Sequence, residues 1–361
     1  MRFKIYSIFL LAICYAADPR LYLDPYSAAV QRIDKRTTSI AHPAIVPKDT
    51  ANEGIPEAES PVEDSTQPDN NVQSSLKKRA TPEDLYSVQK DAPLELVQIS
   101  IPPNAPSLSN YIYYIYEKSA GEGIYIYVID RGVAHPDFMH PHNTEGRDAI
   151  QRELPRNRRR PAIQTDLSKK KGEHPEVDDA LNSHGTEVAI KALGIKFGAA
   201  KEAILIPVKI GEYNRAETSH GVFAAWHDIQ TKGARRARRS IVVMSIGSVF
   251  PENLNDEFTR EMSGLISHLQ YLGVPFVTTS GNFAQEFWHG QQRINIDTVP
   301  AIIAARGNPI SVIGNVDFQG NFWSTSQRGP LLTASAGGLS ATTLDKYGMK
   351  ADATGTSVAD V

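Results

Sequence analysis

Apolar residues in this chain come in short dense runs rather than in strict alternation. The run 124–129 is β-branched and aromatic, follows glycines at 121 and 123, and has no polar position on either face except its tyrosine hydroxyls. Such a run predicts a strand buried on both faces, as in a parallel sheet. The runs 203–210, 240–247, 274–278 and 310–315 read the same way. Helix-like stretches separate them: 184–193, a segment opening at 221–226 and ending near the arginines of 235–239, and one over roughly 253–272. Strand–helix alternation of this kind predicts an α/β protein with a doubly wound, mostly parallel sheet. Shorter apolar runs at 96–100 and 111–116, set off by proline and serine, mark the start of the folded domain, and no internal repeat is present.

The first part of the chain has a different texture. Arg2 and Lys4 precede a short apolar run over 5–16, and Ala16 suits cleavage before Ala17. This predicts a secretory signal over 1–16, too short to span a bilayer. Residues 17–79 lack helix or strand periodicity, and 49–73 are rich in Pro, Glu, Asp, Ser and Asn. That composition cannot offset its ordering entropy by burial, so a propeptide-like disordered segment is expected, followed by one domain over 80–361.

Composition narrows the reading little. The 38 basic and 41 acidic side chains nearly cancel, which argues against a nucleic-acid binder. The single cysteine, Cys14, falls inside the signal, so the remainder has no disulfide and no thiol chemistry. Two basic stretches, 156–160 and 169–171, predict a solvated surface insertion. His135, His140 and His142 lie within eight residues, but without thiols or ordered carboxylates they read as a surface loop, and no metal ligands are assigned.

The chemistry gathers at four places. Asp130 stands at the C-terminal end of the first strand, where open α/β sheets put their functional groups. His184 opens a helix-like stretch within Asn182, Ser183, His184, Gly185 and Thr186. Asn282 follows Thr279, Ser280 and Gly281 on a loop able to offer a side-chain amide. Ser357 follows Gly355 and Thr356, directly before small apolar residues, the setting for a nucleophile on the first turn of a buried helix. A serine needs a base and an orienting carboxylate to become a competent nucleophile.

These motifs, in the order Asp, His, Ser, resemble the subtilisin-like serine proteases, in particular secreted fungal enzymes similar to proteinase K, over roughly residues 93–361. The resemblance implies a three-layer α/β fold with the central sheet flanked by helices, and a nucleophile helix cut short, because the sequence stops four residues after Ser357. It implies a secreted serine endopeptidase in which Asp130, His184 and Ser357 form the triad and Asn282 the oxyanion donor. Ser245, Ile246 and Gly247 match the substrate-binding strand. Polypeptides are the implied substrates, Lys78 and Arg79 resemble a site for a kexin-like processing protease, and a monomer free of membrane is expected. Relatives often bind calcium, but no ligands are assigned. Arg131 departs from the small polar residue usual after the aspartate, and two readings of it stay open: its guanidinium competes with His184 for the carboxylate, or it points to solvent and does nothing. Ile190 stands where relatives keep a glycine, and Asp360 and Val361 replace a small residue and a proline. Three alternatives stay open: a pseudoprotease that retains a peptide-binding groove, a truncated gene product, and a basic protein that binds anionic polymers through 156–171 and 235–239.

Overall fold

The computed structural model describes residues 82–102, 105, 110–165, 174, 177–247 and 253–361. The signal, the leader, the Lys78–Arg79 site, Lys169 to Lys171 and Ser248 lie outside these residues.

Seven parallel strands form the central sheet. In chain order they are β1 (Tyr125–Asp130), β2 (Ile163–Gln164), β3 (Ile204–Lys209), β4 (Ser240–Met244), β5 (Phe276–Thr279), β6 (Ile310–Val316) and β7 (Ala334–Gly337). Across the sheet they run β7, β6, β5, β4, β1, β3, β2. The chain therefore steps from β1 out to the edge strand β2, comes back to β3 beside β1, then crosses to the other side of β1 and winds out through β4, β5, β6 and β7. The crevice at the carboxyl end of β1 lies at this reversal, where doubly wound sheets open a site.

Burial on both faces follows the residue pattern directly. Alternate side chains of β1 feed two separate cores. Tyr127 and Ile129 pack with Val222, Ile229, Met262 and Leu269 on one side, while Ile126 and Val128 pack with Ile150, Val188, Ile190 and Leu193 on the other. The longer helices among the described residues cover the sheet: α1 (Thr144–Glu153), α2 (His184–Leu193), α3 (Arg215–Lys232) and α4 (Glu257–Tyr271). Their starts are chemically marked. Asn143, Asn214 and Asp256 each accept a backbone N–H of the first turn through a side-chain oxygen, which satisfies donors the helix cannot pair itself. Helix α3 starts six residues before the apolar signal at Gly221, because Asn214 caps a polar first turn that carries no periodicity.

The expected basic surface loop is corrected in its first half. Residues 144–164 contain α1, a short 3₁₀ turn and the edge strand β2. Arg159 is buried and donates to the carbonyls of Val133 and Ala134 at 2.7 Å each, and Arg158 pairs with Glu202 at 2.8 Å. The Arg159 guanidinium braces the loop that follows β1. Likewise Arg236 is buried, with its guanidinium 3.6 Å from the centre of the Tyr125 ring.

Candidate active site

Asp130 ends β1 and is 1% exposed. One carboxylate oxygen, Oδ2, lies 2.7 Å from His184 Nδ1. The other accepts the Arg131 backbone N–H at 2.8 Å and the Tyr213 hydroxyl at 2.9 Å. The carboxylate is thus saturated and fixed in orientation. The Arg131 side chain turns away, and its Nε donates to Asp179 Oδ1 at 3.0 Å. Asp179 Oδ2 also meets the buried Lys209 ammonium at 3.0 Å. Of the two readings left open for Arg131, neither holds: its guanidinium does not compete with His184, and it is paired with Asp179 rather than idle in solvent.

His184 is the first residue of α2, and its backbone approach is forced. Ser183 before it holds a left-handed conformation, φ 60° and ψ 21°, which a non-glycine residue adopts at a cost and chiefly where its surroundings over-determine it. Gly185 after it sits so close that an added Cβ would stand 2.1 Å from Gly132 O and 3.0 Å from Asp130 Cβ. Asp178 fixes the helix start by accepting the Thr186 N–H at 3.0 Å, while the Thr186 hydroxyl accepts the Ala134 N–H at 3.0 Å. Burial pushes the Asp178 carboxyl up to about 6.

Burial alone would lower the pKa of His184, but the charge and hydrogen bond of Asp130 outweigh it, with smaller help from Asp360 and Glu187. The result is pushed up to about 9. Tyr213 behaves oppositely as an acid: burial, then the adjacent Asp130 charge, drives its phenol far upward. It remains a donor to Asp130 throughout the useful pH range.

Ser357 occupies the middle of a single 3₁₀ turn, Thr356–Val358, not a turn of α-helix. The Gly355 N–H donates to Gly338 O at 2.9 Å, and the Thr356 N–H donates to Asn282 Oδ1 at 3.0 Å. The hydroxyls of Thr279 and Thr356 are hydrogen-bonded to each other. The turn packs against α2 and against the end of β5. A Cβ at Gly355 would lie 3.1 Å from Asn282 Nδ2 and 3.7 Å from Ser357 Oγ, so these groups border one small space. Because Asn282 Oδ1 is engaged by Thr356, its amide nitrogen faces that space. Among the described residues, neither this nitrogen nor the Ser357 backbone N–H has an acceptor. Ser357 Oγ makes no hydrogen bond to His184, a link that commonly tightens only when substrate arrives.

Beyond β4, the Ser245 hydroxyl donates to Asp360 Oδ1 at 2.8 Å, Ile246 is buried, and Gly247 lies over the Thr298 hydroxyl. Ile190 is fully buried among Ile150, Leu154 and Leu193, so the position expected to need glycine is filled by core packing here. His135 and His140 spend Nδ1 on the backbone N–H groups of Asp137 and His142. Among the described residues no cluster of three His, Cys, Asp or Glu is placed to hold a metal. The loop carboxylates Asp317 and Asp345 are turned onto backbone N–H groups of their own loops.

Tyr213, Asp178 and Asp179 escaped the sequence reading. A signal for Tyr213 was available: it follows the C-terminal end of the run 203–210, a strand that must lie beside the Asp130 strand at the crevice.

Comparisons with known proteins identify the family and the fold. The family model Peptidase_S8, described as Subtilase family, matches residues 121–359. Subtilisin-like protease 7 of Trichophyton tonsurans is 27% identical over 203 residues, covering 52% of this chain and 43% of that protein. Subtilisin-like serine protease Pen ch 18 of Penicillium rubens is 32% identical over 205 residues, covering 54% of this chain and 35% of that protein. This chain thus spans less than half the length of the curated relatives it matches. A crystal structure of a cold adapted subtilisin-like serine proteinase superposes with a TM-score of 0.53 at 19% identity, over 75% of this chain and 81% of that one, a likeness of fold.

Proposed function

Because the chain belongs to the subtilase family, we propose that it is a serine endopeptidase that hydrolyses peptide bonds through an acyl-enzyme. Ser357 Oγ attacks the scissile carbonyl carbon while His184 Nε2 takes the hydroxyl proton. Asp130 keeps the His184 Nδ1–H tautomer and balances the imidazolium. The tetrahedral oxyanion is met by Asn282 Nδ2 and the Ser357 N–H. Collapse breaks the C–N bond, and the amine leaves with the proton from His184. Water, deprotonated by the same imidazole, then releases the acid and restores Ser357. A substrate backbone paired along Ser245, Ile246 and Gly247 gives affinity without demanding particular side chains.

The observation that carries this reading is the 2.7 Å Asp130–His184 bond together with two N–H donors beside the Ser357 hydroxyl that have no acceptor among the described residues. Donors with no ground-state partner suit a charge that develops only in the transition state. Secretion through the 1–16 signal, and a precursor cut after Arg79, complete the proposal.

The test compares the full chain with Ser357→Ala and His184→Ala on an unfolded protein substrate and on short peptides. Cleavage lost in both variants, with circular dichroism unchanged, is the expected result. Cleavage that survives Ser357→Ala, or a folded protein that binds peptide and never cuts it, overturns the proposal.

A further inference from the structure

A second carboxylate is built in near His184, and the mechanism above leaves it without a role. Asp360 is 2% exposed. Its Oδ1 accepts the Ser245 hydroxyl at 2.8 Å. Its Oδ2 is buried and has no hydrogen-bond partner among the described residues. Its backbone N–H donates to Thr356 O at 3.2 Å, so Asp360 is tied to the turn that carries Ser357. That turn packs on α2, whose first residue is His184.

A buried carboxylate held by one hydroxyl is costly when ionised unless a cation answers it. His184 heads the helix on which the turn tied to Asp360 packs, and the charge of each group favours ionisation of the other. Arg131 and Lys209 do not serve, because Asp179 takes both.

We infer that Asp360 is a positioning residue for the proposed hydrolysis: it ties the head of the peptide-pairing segment to the Ser357 turn and acts as a second anion on His184. The inference rests on His184 being the general base.

Other groups act on the same site: Asp130 from β1, Asp178 from the loop before α2, Glu187 from α2, and the Tyr213 phenol from the loop after β3. Asp345 acts on Glu187. Burial raises Asp360 most, to about 8, against the Ser245 hydrogen bond and His184, which lower it. Below that pH Asp360 is neutral and leaves His184 to Asp130. Above it the anion favours the imidazolium, which cannot accept the Ser357 proton. The acid limb of activity is thereby displaced toward alkaline pH.

The experiment is an NMR titration of the His184 ring in the full chain, its signal identified by its loss in His184→Gln. Asp360→Asn is expected to lower the His184 midpoint by roughly half a unit or more. Ser245→Ala strips Asp360 of its donor, delays its ionisation, and is expected to move the midpoint the same way by less. It also serves as the second variant should Asp360→Asn not fold. The acid limb of kcat/KM follows the midpoint, and Ser245→Ala raises KM. Midpoints unmoved in both variants overturn the inference. A protein that never cuts peptide yet shows the His184 shift overturns the hydrolase reading and leaves the Asp360–His184 coupling standing.

Discussion

The Tyr213 hydroxyl donates to Asp130 Oδ1 at 2.9 Å, on the oxygen opposite the one that His184 Nδ1 approaches at 2.7 Å. The carboxylate is gripped from both sides, so the imidazole docks on an oxygen that cannot rotate away. The Tyr213 ring also stands edge-on to the imidazole, 6.4 Å between centres. Tyr213→Phe keeps the ring and deletes the donor. Because Arg131 N–H still serves that oxygen, the expected loss is about 1–2 kcal/mol of stability, read by urea unfolding, with kcat lowered by less than about tenfold.

Asp130→Asn preserves shape but offers His184 the wrong partner. The imidazole then takes the other tautomer and no longer accepts the serine proton. A fall in kcat on the order of 10⁴ with KM little changed is expected from steady-state kinetics. A fall of tenfold or less would remove Asp130 from the triad.

Asn282 does two things, and the structure separates them. Oδ1 holds the Thr356 N–H, while Nδ2 borders the space beside Ser357 Oγ, where the proposed mechanism puts the oxyanion. Asn282→Asp keeps the acceptor and loses the donor, so it tests electrostatics without unlatching the turn. A loss of about 10²–10³ or more in kcat is expected, with thermal stability close to the parent.

Ile190 is fully buried against Ile150 and Leu193. Ile190→Ala removes the three side-chain carbons beyond Cβ and leaves a gap, at a cost of about 2–4 kcal/mol by chemical denaturation. A change below about 0.5 kcal/mol would mean that α2 settles closer to the sheet and fills it.

His184 also sets a pH dependence of stability. Its folded pKa, about 9, exceeds the ordinary imidazole value of 6.5. The stabilisation it contributes is therefore full below 6.5 and is lost as pH rises through 9. Over the same window the imidazole becomes a competent base. Thermal unfolding between these limits is expected to show Tm falling as activity climbs, and His184→Gln to flatten the His184 share of that slope.

The strands that carry Asp130 and precede Asn282 were legible because burial on both faces leaves dense apolar runs, which few other structures require. The two edge strands were not. Ala334–Gly337 is built of small residues, and Ile163–Gln164 is two residues long beside an arginine cluster. Neither leaves a hydrophobic signature. The same limit applies to the site. Asp130, His184, Asn282 and Ser357 stand in local motifs, whereas Tyr213 reaches Asp130 across 83 residues of chain and Asp179 meets Arg131 across 48. Such support arises from neighbouring strand ends in a parallel sheet, and one strand's sequence does not report on its neighbour's loop. Arg131 shows the consequence: judged alone it threatens the triad, and only its distant partner shows where the guanidinium goes.

The central claim is that one carboxylate, one imidazole and one hydroxyl act as a unit, and reaction with a fluorophosphonate tests it most directly. Intact mass and peptide mapping should find a single adduct on Ser357, formed faster as pH rises toward 9 and suppressed in Asp130→Asn and His184→Ala. A folded protein that takes up no probe, or carries it on another residue, would contradict the account.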